Sequence, residues 1–284
     1  MITGKFDKII ENITSFATSA KNVHAVIIVG SLARETHPAD ENSDMDVILL
    51  VDDPDYFIQT DEWLKRIGTY FISFSEDSFG RGKERRVLFD GAIDVDFIFL
   101  FNLEDGFTRE ILSRGYRVLL DKNGLKIPKG QKKTSLALSE LEFQNLTNDF
   151  WYHAVWTAKE LARGEIWTAK HCLDVYMKSK LLSMIEHHVH AIRGAEYDTW
   201  HSGRFIEEWA DSWIIEKLRS CFSRYDKEEV KSALIATMEL FRMLTTQTSE
   251  KYRFDYPKSA DEYATNEVEI RVNNKNGTVN PNRS

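Results

Sequence analysis

A chain of 284 residues in which 42% are apolar and 12% aromatic can bury a sizeable core, which excludes wholesale disorder. Its net charge of −8 argues against a nucleic-acid binder, which would carry a basic face. No apolar run approaches the roughly 18 residues of a membrane span, and the N-terminus lacks the apolar segment of a signal peptide. Cys172 and Cys221 lie far apart with no metal-type spacing, so a cytoplasmic protein with two buried thiols is expected.

In chain order, "FDKIIENITSFATSA" places Phe6, Ile9, Ile10, Ile13 and Phe16 on one helical face. "VHAVIIVG" and "MDVILLV" read as strands. "DEWLKRIGTYF" starts as a helix with Asp61 as its cap, and "YFISF" follows as a strand. "RRVLFDG" and "AIDVDFIFLF" are two strands joined at Asp90-Gly91, a hairpin dipeptide. "FTREILSRG" is a short helix closed by Gly115, and "YRVLLD" a last strand. After the lysine-rich "KIPKGQKK" the strands cease and three long helical patterns follow, from Ser139, Ile166 and Glu228. The predicted class is α+β: a mixed-sheet domain over residues 1–135, then a helical bundle over 136–262, with a cleft between them. The Asn-rich end lacks a packable face, so 263–284 is expected to be a mobile tail.

The chemistry concentrates where an apolar run stops at Gly30-Ser31, twelve residues intervene, and Asp44 and Asp46 appear at the start of the next apolar run. Alternate side chains share a strand face, so these two carboxylates point the same way, about 7 Å apart along the strand. Like charges there repel and lose solvation unless a cation holds them. Magnesium suits such a set, because it takes a few carboxylate oxygens plus substrate phosphates. "AIDVDFIFL" repeats the arrangement with Asp94 and Asp96, either of which could complete a two-metal site. Gly30 lets the backbone approach a ligand closely. A helix starting just after it would offer free N–H groups to an anion, with the Ser31 hydroxyl beside them. Alone, each piece is more simply a turn or a solvated edge; the combination is specific.

Gly30-Ser31, Asp44-Met45-Asp46-Val47 and Val95-Asp96-Phe97 resemble the signature of the DNA polymerase β-like nucleotidyltransferases. Further segments are similar to the aminoglycoside 6-adenylyltransferases within that superfamily: "EWLKRIG", "VLLDK", "NDFWYHAVWTAKELARGE", "AKH", "GRFIEEW" and "YP", covering the chain to about residue 265. The resemblance implies a polymerase β-like nucleotidyltransferase domain ahead of the helical one. It implies magnesium-dependent transfer of AMP from ATP to an aminoglycoside hydroxyl, the 6-OH of streptomycin, with release of pyrophosphate. Asp44 and Asp46 would be the magnesium ligands. Asp96, rather than Asp94, would be the third carboxylate, binding a second ion or taking the hydroxyl proton. Gly30 and Ser31 would contact the triphosphate, with Arg34 and Arg204 as basic contacts. Glu165 would be an aminoglycoside ligand or alternative base. Leu32 directly after Gly-Ser and Lys170 in "AKH" depart from the family pattern.

The implied partners are ATP and a cationic small molecule, with neither nucleic acid nor membrane. Two alternatives stand beside this: the same reaction on another antibiotic or on a protein, and a non-catalytic nucleotide-binding protein. Elsewhere, His187 and His190 have the i, i+3 spacing of a metal pair but read as solvated residues near a helix end. Trp151, Trp156 and Trp167 read as core.

Overall fold

Helix α1 (Gly4–Ser19) buries Phe6, Ile9, Ile13 and Phe16, the face its spacing predicts. It begins the computed structural model, which describes residues 4–78, 82–104, 106–127 and 138–273 and divides the chain into two compact units, 1–133 and 134–284.

In the first unit β1 (Val23–Val29) runs into a single 3-10 turn, Gly30–Leu32, so the condition of a helix starting just after Gly30 is not met. There follow β2 (Met45–Val51), α2 (Pro54–Gln59), α3 (Glu62–Ile67), β3 (Tyr70–Asp77), β4 (Lys83–Phe89), β5 (Ile93–Leu100), α4 (Gly106–Ser113) and β6 (Arg117–Asp121). Sequence reading missed α2, although its signal is local. Asp53 accepts the amides of Asp55 and Tyr56, and Pro54 occupies the first turn, where a missing N–H costs nothing. Asp61 does occupy the N-cap of α3, but its carboxylate pairs with Arg85 instead of capping the helix amides.

The six strands form one mixed sheet in the order β3-β4-β5-β2-β1-β6, with β2 and β5 parallel and the other pairs antiparallel. One face carries Met45, Val47 and Leu49 of β2 and Val95, Phe97 and Phe99 of β5, packed under α1, α2 and α3 through Phe16, Phe57 and Trp63. The other face carries Ile48, Leu50, Ile98 and Leu100, covered by Leu103 and Leu112. Along both central strands that second face is apolar only toward the C-terminal end. Toward the N-terminal end the same alternation brings up Asp46 in β2 and Asp94 and Asp96 in β5. The helical layer can therefore be complete on one side while the other side is free to carry chemistry.

The second unit comprises α5 (Glu140–Arg163), α6 (Ile166–His171), α7 (Lys178–Arg193), α8 (Ile206–Trp209), α9 (Ser212–Leu218), α10 (Lys227–Tyr252) and α11 (Lys258–Asn273). Ser139 and Glu142 form a capping box on α5, and Gly164 closes it in the left-handed conformation. The long pattern from Ile166 is one helical stretch interrupted by a π turn at Cys172–Met177. Phe150 of α5 stacks on Phe241 of α10 with ring centroids 3.6 Å apart. The expected tail at 263–284 is corrected over its first part. Ala264, Val268 and Val272 recur at helical spacing, are buried, and pack α11 on α5. Asp261 fixes the start of that helix by accepting both Nε and Nη2 of Arg242 at 2.7 Å and the Tyr256 hydroxyl at 2.6 Å. The rest of the tail, 274–284, lies outside the described residues.

Two further expectations change. His188 is fully buried against Trp213, His187 is partly buried, and His190 hydrogen-bonds the Tyr197 carbonyl, so this stretch belongs to the packed side of α7. Trp151 is core, but Trp167 is 72% exposed and lines a surface pocket of about 480 Å³ with Trp156, His153, His171 and Tyr176. Cys172 and Cys221 are buried free thiols. No helix among the described residues is long and apolar enough to cross a membrane.

Candidate active site

The parallel pairing of β2 with β5 sets Asp46 directly opposite Asp96. Asp44, just before β2, joins them, and one carboxylate oxygen from each residue lies within 4.8 Å of the others. The register thus decides between the two aspartates of β5. Asp96 is 6% exposed and belongs to the trio, whereas Asp94 is exposed and stands one step out along the same face.

The loop after β1 is shaped around this cluster. Gly30 sits at φ +67°, and a Cβ there would lie 1.9 Å from Asp46 Oδ2. Only glycine lets that carboxylate lie against the backbone. The amides of Ala33 and Arg34 both donate to the Gly30 carbonyl, and Ala39 donates to that of Ser31, which folds the loop back on itself. Ser31 is buried, with its hydroxyl donating to the Asp44 carbonyl at 3.4 Å.

On the far side of Asp96 stands Arg86, its cross-strand partner in β4. The Arg86 Nε lies 3.6 Å from Asp96 Oδ2 and 2.8 Å from carboxylate oxygens of both Glu84 and Glu76. Burial pushes the Asp96 carboxyl up to about 7; Arg86 opposes this, while Asp46, Glu84 and Asp94 add to it. Asp94 is raised too, first by burial and then by Asp44. Burial alone would lower the pKa of Arg86, but Asp96 and Glu84 outweigh it and hold the guanidinium above its ordinary value.

The donor set is all oxygen, converges on one point and is crowded with like charge. Those are the conditions under which a hard divalent cation binds, so the residues fit magnesium. The remaining predicted residues are distributed as follows. Arg34 closes its own loop, donating through Nε to the His37 carbonyl at 2.6 Å. Glu165 and Arg204 belong to the second unit. Glu165 is the N-cap residue of α6 and is held by Arg163 at 2.7 Å, while Arg204 is exposed and offers its backbone carbonyl to Trp209 Nε1. Arg86, Glu84 and Glu76 were missed by sequence reading, although an antiparallel partner for β5 was implied by the Asp90-Gly91 hairpin.

Comparison with known proteins identifies the family of the whole chain. The family model described as streptomycin adenylyltransferase matches residues 5–268. An aminoglycoside 6-adenylyltransferase of Bacillus subtilis (strain 168) is 25% identical over 255 residues, covering 85% of this chain and 89% of its own. One of Campylobacter jejuni is 25% identical over 284 residues, covering 95% and 96%. A crystal structure of an aminoglycoside 6-adenyltransferase from Bacillus subtilis aligns with a TM-score of 0.46 at 22% identity, over 93% of this chain and 95% of that one. With nearly its whole length matched by one family model, the chain belongs to the streptomycin adenylyltransferase family of nucleotidyltransferase enzymes.

Proposed function

We propose that the chain transfers AMP from magnesium–ATP to a hydroxyl of an aminoglycoside, the 6-OH of streptomycin, and releases pyrophosphate. The observation that carries this is the convergence of Asp44, Asp46 and Asp96 within 4.8 Å, beside a glycine on which no side chain fits. Asp44 and Asp46 hold the metal–triphosphate, and the Ser31 hydroxyl stands at the edge of the same site as a phosphate contact. Magnesium supplies positive charge against the triphosphate and the departing pyrophosphate. Asp96 orients the acceptor hydroxyl and accepts its proton as the oxygen bonds to the α-phosphorus and the bond to the β-phosphate oxygen breaks. Asp94, Glu76 and Glu84 extend the negative charge along the sheet face, which suits an acceptor carrying several cationic groups. Arg34, Arg204 and Glu165 are assigned the supporting roles the family resemblance implies, the arginines toward the triphosphate and Glu165 toward the acceptor.

The test is pyrophosphate release from magnesium–ATP with a panel of aminoglycosides and a lincosamide as acceptors, run beside Asp44→Asn. Release with streptomycin-type acceptors, lost in the variant, is the expected result. Release in the variant at the wild-type rate would overturn the site. Release with the lincosamide alone would overturn the acceptor.

A further inference from the structure

We infer that Arg86 is an internal counter-cation of the carboxylate set: it holds Asp96 in place when no metal is bound and keeps free divalent ions from binding tightly, so that the metal enters and leaves with its phosphates. This rests on the reading of Asp44, Asp46 and Asp96 as a metal site.

The observations are geometric. Phe74, Arg86, Asp96 and Asp46 are successive cross-strand partners, forming one row over β3, β4, β5 and β2 on a single face of the sheet. Adjacent strands lie about 4.8 Å apart, so the guanidinium stands one strand from the nearest metal-site carboxylate and two from Asp46. It is tethered on the side away from Asp96. Glu84, two residues back on the same strand and 8% exposed, accepts Nε at 2.8 Å and is itself held by the Ser78 hydroxyl at 3.1 Å. Glu76 of β3 forms an ion pair with the same Nε at 2.8 Å. The surrounding ionisable groups are Asp46, Asp94, Asp96, Glu76 and Glu84, with Lys5 acting on Asp94. Arg86 thus offsets part of a charge that would otherwise be left for a metal ion alone.

Two effects of removing it compete. Loosening Asp96 weakens metal binding by the ordering of one short side chain, which is small. Removing a fixed positive charge about one strand spacing away strengthens it, and between partly buried groups the Coulomb effect is the larger. A site that held a bare divalent ion tightly would also retain metal–pyrophosphate, adding ground-state affinity that does nothing for turnover.

The experiment titrates the nucleotide-free full chain with Mn²⁺ at mildly alkaline pH, reading free Mn²⁺ by electron paramagnetic resonance. Arg86→Met is expected to bind about tenfold more tightly than wild type, Arg86→Lys to stay near wild type, and Asp44→Asn to lose binding. Affinity unchanged or weakened in a folded Arg86→Met overturns the proposal. Arg86→Gln, which retains a donor for Glu84, serves if the Met variant does not fold; failure of both to fold would make the arginine purely structural and equally overturn it. Pyrophosphate release is measured separately. Its absence with every acceptor, while the Mn²⁺ order holds, would sink the transferase reading and leave the counter-cation standing.

Discussion

Gly30 and Asp46 are packed so closely that a methyl group on the first would lie 1.9 Å from Oδ2 of the second and 2.9 Å from its Cγ. The contact couples a backbone conformation to a carboxylate of the candidate site, since Gly30 also holds φ +67°. Gly30→Ala is therefore expected to push Asp46 off the shared point of the trio. A displacement of about 1 Å in such a site costs on the order of 10²-fold in kcat/KM. The left-handed backbone adds about 1–2 kcal/mol of destabilisation. Steady-state kinetics with denaturant unfolding checks both, and wild-type activity in the Ala variant would show that Asp46 does not depend on this contact.

The register of β5 makes its two aspartates unequal. Asp96 lies opposite Asp46 and is buried, whereas Asp94, two residues earlier on β5, pairs with Leu88 and is exposed. Asp96→Asn is expected to lower kcat by about 10³-fold, in line with the loss of a group aimed at developing charge. Asp94→Asn, which only thins the surrounding negative field, is expected to stay within about tenfold. Equal losses in the two variants would contradict the assignment of Asp96.

Histidines in the helical unit set an acid limit. Burial, then the neighbouring His190, lowers the His187 pKa to about 4, with Glu142 opposing. His188 is shifted in the same direction by burial. The unfolded chain takes up protons near 6.5, the folded one only near 4. Stability is therefore fully present above the unfolded value and falls as pH drops through this window. His187 still meets some solvent, so its share is on the order of 1–2 kcal/mol. Urea unfolding above and below the window should show the loss, and His187→Gln should remove that share. A wild-type slope in the variant would place the effect elsewhere.

The strands and long helices were legible because each is short-range. Apolar runs such as "MDVILLV" specify a strand, and the spacing of Phe6, Ile9, Ile13 and Phe16 specifies a helix and its buried face, without reference to the rest of the chain. Residues 263–273 were misread because α11 is weakly amphipathic, and its three small or branched apolar residues acquire meaning only against α5. His187 and His190 were misread as solvated for the same reason: a polar residue on a helix carries no sign of being drawn against its neighbours.

By itself the sequence picked out the candidate residues for the proposed chemistry: Gly30-Ser31 at a strand end, Asp-x-Asp at the start of one apolar strand and a second Asp-x-Asp in another. Which of those carboxylates meet was decided only by pairing. β2 and β5 are separated by two helices and two strands, so their parallel register depends on packing across the whole sheet. The position of Arg86 turned on one residue. The β4–β5 turn contains Ala92 at φ +53° after Gly91 at +75°, so Phe89 pairs with Ile93 and Arg86 falls opposite Asp96. A two-residue turn at Asp90-Gly91 would have set Arg85 there, because a one-residue slip moves every side chain of a strand to the opposite face.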